Sequence, residues 1–146
     1  MYRGGAKFYN ATAGTGYTFI ELLNEAHNQR FPNYEFTDII CCGGYNDRQN
    51  TKVQILSAIE AFVNQAKTYY PDANIYIGHI GFNKKGSSSD TTVAPTDWLQ
   101  YRKHMKEVSI PAYRECTKYG AIYLNNVEYA LNESHMTNLD GYHPSE

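Results

Sequence analysis

The sequence predicts a parallel α/β sheet, on three observations: apolar strand-like runs that end in glycine, helix-period segments between them, and polar turns directly after the strands. Strands alternating with helices imply right-handed crossovers and a sheet covered on both faces. In such sheets the ligand crevice lies beyond the carboxyl ends of the strands, so the turns that follow them are where function is sought. A chain of 146 residues falls in the single-domain range of roughly 100–200 residues, and 1–146 reads as one domain.

The elements follow in order. Thr18 and Glu21 have capping-box spacing, and Phe19, Leu22, Leu23 and Ala26 recur at helical period, predicting a helix over 18–28 that Pro32 and Asn33 break. Phe36-Thr37-Asp38-Ile39-Ile40-Cys41-Cys42 reads as a mostly buried strand that stops at Gly43-Gly44. Val53, Leu56, Ile59, Phe62, Val63 and Ala66 then mark an amphipathic helix of about five turns, up to Tyr70-Pro71. Ile75-Tyr76-Ile77 is a second strand, closed by Gly78. Residues 84–95 include Gly86-Ser87-Ser88-Ser89-Asp90-Thr91-Thr92, show no apolar period and predict a surface loop able to border a binding site. Thr96 or Asp97 caps a long helical segment through Leu99, Met105, Val108, Tyr113 and Cys116, which Pro111 should kink or split and Gly120 should stop. Ala121-Ile122-Tyr123-Leu124 is the third strand, and an irregular path leads on to Asp140-Gly141-Tyr142-His143-Pro144.

Composition narrows the classes of function. Hydrophobic residues make up 42% and charged residues 19%, the balance of a chain that folds rather than one that stays disordered. With a formal net charge of -2 and scattered Lys and Arg, nothing points to nucleic acid as a partner. No apolar run approaches the roughly 20 residues that cross a bilayer, and the opening Met1-Tyr2-Arg3-Gly4-Gly5 has no signal-peptide core, so no membrane partner is expected. Cys41, Cys42 and Cys116 lack zinc-ligand spacing and read as small buried hydrophobes, and no metal or cofactor is expected. The 14 tyrosines fit either packing at the core boundary or stacking surfaces for sugars.

Two turns carry chemistry. Gly43-Gly44-Tyr45-Asn46-Asp47 lies between a strand and a helix, where glycine permits a sharp turn and the Asn46 amide can face outward to donate. Taken alone, the same residues fit an Asn46 in a left-handed turn position and an Asp47 that caps the next helix. Asp140-Gly141-Tyr142-His143-Pro144 places a carboxylate and an imidazole close enough to hydrogen-bond, which fixes the tautomer and leaves the other ring nitrogen free as a base. Alone, it also fits an ordinary surface turn with a solvated histidine. His27, His79, His104 and His135 have no such neighbour and read as helix-face or loop residues, with His79, just past a strand end, placed nearest to a site.

Together the two turns resemble the SGNH (GDSL-like) hydrolase family, whose blocks include a GxND turn and a later DxxH(P) turn. A third family block, a glycine whose N–H joins the oxyanion hole, looks like Gly4-Gly5-Ala6, with Gly5 the nearer equivalent. The resemblance covers nearly the whole chain. It implies a three-layer α/β/α flavodoxin-like parallel sheet and a serine ester hydrolase working through an acyl-enzyme. Asp140 and His143 would form the catalytic pair, and Asn46 and Gly5 the oxyanion hole. Tyr45, His79 and Tyr142 would lie near the substrate, a small-molecule or carbohydrate ester with a short acyl group as the first expectation.

One block is missing. No Gly-Asp-Ser turn occurs, and Ser57, Ser87, Ser88, Ser89, Ser109, Ser134 and Ser145 lack the strand–turn–helix setting that exposes a nucleophile. In the family the first strand is central, so the resemblance implies a sheet lacking its N-terminal strands, with an unpaired edge. A closing helix after His143-Pro144-Ser145-Glu146 is likewise expected from further polypeptide. The expectation is a hydrolase whose nucleophile comes from a segment outside these residues, with the chain alone inactive. The rivals are a non-catalytic carbohydrate-binding or structural module on the same scaffold, and a flavodoxin-like domain whose motifs coincide by chance.

Overall fold

A computed structural model of the chain describes residues 6–11, 17–47, 49–79 and 103–125. They form a mixed α/β unit built on a three-stranded parallel sheet in the order β1-β2-β3. The strands are β1 (Asp38–Gly43), β2 (Asn74–His79) and β3 (Ile122–Tyr123). Register runs from Asp38 opposite Asn74 to Gly43 opposite His79, and Tyr76 and Ile77 face Ile122 and Tyr123.

Helix α1 (Phe19–Glu25) starts as its sequence dictates, with the Thr18 and Glu21 side chains each bonded to the other residue's backbone N–H. It runs on as a wider turn of π-helix over Ala26–Arg30. Helix α2 (Lys52–Tyr69) opens on a second capping box, between Thr51 and Gln54, and buries Ile55, Ile59, Phe62, Val63 and Ala66. The third helical path runs on through Pro111 and changes helix type on either side of it, where the sequence predicts a kink or a split. Its lead-in, Met105–Ser109, is π-helical, α3 covers Ile110–Arg114, and a 3-10 turn over Glu115–Tyr119 ends at Gly120 with φ +84°. A proline has no N–H to give and its ring crowds the preceding turn, so widening that turn is the local remedy.

The core lies on one face of the sheet. Ile75 and Ile77 of β2, Cys41 of β1 and the buried stripe of α2 pack with Ala112, Tyr113 and Cys116 and with Phe8 and Leu23. On the opposite face Ile40, Tyr76 and Ile122 form one row across the sheet, and Ile40 and Ile122 are 67% and 46% exposed. The sequence reading expected both faces covered. Right-handed crossovers that step in one direction, β1 to β2 to β3, place both connecting helices on the same side, which accounts for the difference. Cys41 and Cys116 are buried as expected, but Cys42, on the other face, is only half-buried.

The predicted loop at 84–95 lies outside the described residues, as do the start of the third helical path and the Asp140 to Pro144 turn.

Candidate functional site

At the carboxyl end of β1 the chain turns at Gly44, whose φ of +122° is accessible to glycine and strained for other residues. A Cβ there would also fall on the His79 ring, 2.7 Å from Cε1 and closer still to Nε2. The following residues, Tyr45–Asp47, make a single 3-10 turn, held by the Asp47 N–H donating to Gly44 O at 3.1 Å.

Asp47 is the hub beneath this turn. It is fully buried, and its carboxylate accepts from the Phe8 N–H (3.1 Å), the Tyr9 N–H (3.3 Å), the Tyr113 hydroxyl (2.7 Å) and Asn50 Nδ2 (3.0 Å). Burial pushes its carboxyl above the usual range, and the bonds from Tyr113, Phe8, Tyr9 and Asn50 oppose that shift. Burial also raises the Tyr113 hydroxyl well above its ordinary value, with the Asp47 charge adding to it, so Tyr113 stays a donor. Asp47 therefore does not cap α2; Thr51 does. Nor does Asn46 take a left-handed conformation, since among the described residues only glycines have positive φ.

Asn46 stands on the half-buried side of the turn, and its Nδ2 donates to Ala6 O at 3.3 Å. A primary amide carries two N–H donors, so one remains after that bond. The contact joins segments 40 residues apart, and Asp47 joins the same two through Phe8 and Tyr9. The opening segment and the β1 turn thus form one locally fixed structure at the carboxyl edge of the sheet.

His79 ends β2 directly beside this turn, opposite Gly43. It is wholly enclosed and out of solvent. Its Nε2 shares a 3.0 Å hydrogen bond with Ser109 Oγ, itself fully buried, and its ring meets Tyr113 edge-on at 4.8 Å. Among the described residues the buried Nδ1 has no partner, a condition that costs about 1–3 kcal/mol. Burial, reinforced by His104 and Arg114, lowers the pKa to about 3, so the ring is neutral. His104 is tied in as well: its Nε2 donates to Asn50 O at 2.7 Å.

Of the residues singled out from sequence, Asn46, His79 and the backbone of Tyr45 are gathered at this edge. Gly5, Asp140, Tyr142 and His143 lie outside the described residues, with Ala6, next to Gly5, bonded to Asn46. Sequence reasoning missed Asp47, Tyr113 and Ser109 as a polar cluster. The available signal was Ser109 and Tyr113, two hydroxyls four residues apart on an otherwise apolar helix face. Among the described residues no group of three or more His, Cys, Asp or Glu side chains is arranged to hold a metal ion.

Compared with protein-family models, with curated proteins and with solved structures, the chain matches none of them.

Proposed function

We propose that the chain is the greater part of an SGNH-type serine ester hydrolase of flavodoxin-like fold, and that the turn after β1 carries one arm of its oxyanion hole. The observation that carries this reading is the bond from Asn46 Nδ2 to Ala6 O. It brings the asparagine of the Gly44-Tyr45-Asn46-Asp47 turn against Ala6, the residue that follows Gly5 in the sequence, and an oxyanion hole needs two donors aimed at one point. The carboxyl edge of a parallel sheet is where such a site belongs.

In this reading Asn46 Nδ2 and the Gly5 N–H donate to the oxygen that becomes negative as the ester carbonyl is attacked. His143 takes the proton from the attacking serine and returns it to the leaving alcohol, and Asp140 orients His143 and stabilises its charged form. The serine comes from polypeptide outside these 146 residues, in which no Gly-Asp-Ser turn occurs. The substrate class is a short acyl ester, with an acylated sugar as the first candidate.

The test uses p-nitrophenyl acetate. The 146-residue chain should show no hydrolysis above its His143→Ala variant. The polypeptide extended by its own upstream coding sequence should hydrolyse the ester, and Asn46→Ala should lower its turnover by roughly 10²–10³. An extended polypeptide with no Gly-Asp-Ser turn and no turnover would favour a binding module instead. The exposed rings of Tyr17, Phe31 and Tyr34 are the observation on that side, since open aromatic faces suit sugar stacking.

A further inference from the structure

We infer that His79, held by Ser109, is the positioning residue that sets the Gly44–Asn46 turn and thereby aims the Asn46 amide. The inference rests on the reading of Asn46 as an oxyanion donor and adds two residues that the motif does not contain.

Three observations converge on it. The His79 ring fills the space a side chain on Gly44 would need, so the ring packs directly against the backbone of the turn. The ring is itself locked: Ser109 Oγ meets Nε2 at 3.0 Å from the crossover helix, and Tyr113 stands against its edge. Tyr113 also bonds Asp47, the residue after Asn46, so the turn is gripped on both sides of the amide by one packed unit. Among the described residues the Asn46 side chain has a single long bond, 3.3 Å, to Ala6 O, so its direction depends on the backbone beneath it.

The choice of residue points the same way. A phenylalanine in place of His79 would fill a similar space without leaving Nδ1 buried and unpaired. An imidazole is worth that cost where its Nε2 must be fixed to a partner, and Ser109 is that partner. A phenyl ring has no such tether and can slide along the glycine, letting the turn follow.

The experiment follows the Asn46 side-chain NH₂ pair by ¹⁵N NMR in the 146-residue chain, in Ser109→Ala, in His79→Phe and in Ile59→Val, a core control that alters neither the turn nor the His79–Ser109 pair. Melting temperature is measured for each. In Ser109→Ala and His79→Phe the Asn46 pair should shift and broaden, while in Ile59→Val it should stay where it is in the parent. Ser109→Ala removes only one oxygen, so it keeps the test open should His79→Phe fail to fold. An unmoved Asn46 pair in Ser109→Ala, or an equal shift in Ile59→Val, would overturn the inference. Neither result depends on hydrolysis. If the Asn46 pair follows Ser109 while the extended polypeptide hydrolyses esters undiminished by Asn46→Ala, positioning stands and the oxyanion reading falls.

Discussion

The two ends of the sheet are closed by different chemistry. At the amino end, rings do the work: Phe36 packs on Tyr70 (5.1 Å), Phe31 (5.9 Å) and Tyr34 (4.8 Å), and His27 stacks on Tyr69 at 3.8 Å. At the carboxyl end Asp47, His79, Ser109 and Tyr113 form a fully buried polar cluster. Each end holds a histidine, and the contrast between them is informative. His27 has its Nδ1 on the Tyr70 hydroxyl and a flat face on Tyr69, whereas His79 is sealed behind Gly44 with one nitrogen unpaired. Dispersion contacts among rings are individually small and replaceable, while a buried polar group stripped of its partner is costly. The carboxyl end should therefore be the intolerant one.

The sharpest way to break that comparison is Asp47→Ala. It leaves the Phe8 and Tyr9 N–H groups and the Tyr113 hydroxyl without their acceptor, and should cost roughly 3–5 kcal/mol in denaturant unfolding, near the top of the range for single substitutions. Asp47→Asn keeps one acceptor oxygen and should lose clearly less. A loss in Asp47→Ala no larger than that of an ordinary surface substitution would show that the cluster does not hold this end of the sheet together.

Acid should also act on this end, through His79. The His79 pKa is lowered from 6.5 to about 3, so below pH 6.5 the unfolded chain takes up a proton that the folded chain refuses. Stability is then level above that pH and falls as pH drops from 6.5 toward 3, by at most on the order of 4 kcal/mol. The exposed carboxylates Asp38 and Glu115, both lowered, contribute their own loss in acid, so the wild-type curve is compared with that of His79→Leu. The variant should lose markedly less stability between pH 7 and pH 4. Parallel curves would mean that His79 is not held neutral by the fold.

How much of this was legible in the sequence divides along the same line. Elements were readable because their signals are local: Thr18 and Glu21 lie three apart, the stripe from Val53 to Ala66 has one period, and Gly120 marks a stop. The turn at Gly44 and the placement of Asn46 beyond a strand were readable for the same reason. The partners were not. His79 and Ser109 lie 30 residues apart and Asp47 and Tyr113 lie 66 apart, and no spacing rule links them. Asp47 in a turn ahead of a helix has the local look of an N-cap, and only tertiary packing turns it inward toward Phe8 and Tyr113. The exposure of Ile40 and Ile122, on the face opposite the core, was missed because alternation along a strand does not say which side the crossovers will take.

At the amino end the effects should be smaller. Tyr70→Phe keeps the ring contacts and removes the hydroxyl that His27 Nδ1 meets at 3.2 Å, so about 1 kcal/mol should be lost. Thermal unfolding resolves a change of that size. A loss as large as that of Asp47→Ala would erase the distinction between the two ends.

Tyr34→Ala should have the least effect of all. Its ring is 60% exposed, lies 4.8 Å from Phe36 in a tilted arrangement and 6.5 Å from Phe31. An aromatic pair of this geometry gives roughly 0.5–1.5 kcal/mol when enclosed, and most of this ring is in water, so the expected change is within about 0.5 kcal/mol. Phe36 does not depend on it, since Tyr70 and Phe31 hold that ring from other sides. The same denaturant series that measures Asp47→Ala measures this variant. A loss above about 2 kcal/mol, the size reserved for core truncations and orphaned polar groups, would mean that Tyr34 is a specific keystone of the aromatic end. The two ends would then be equally intolerant, and the contrast would lie only in the kind of contact each uses.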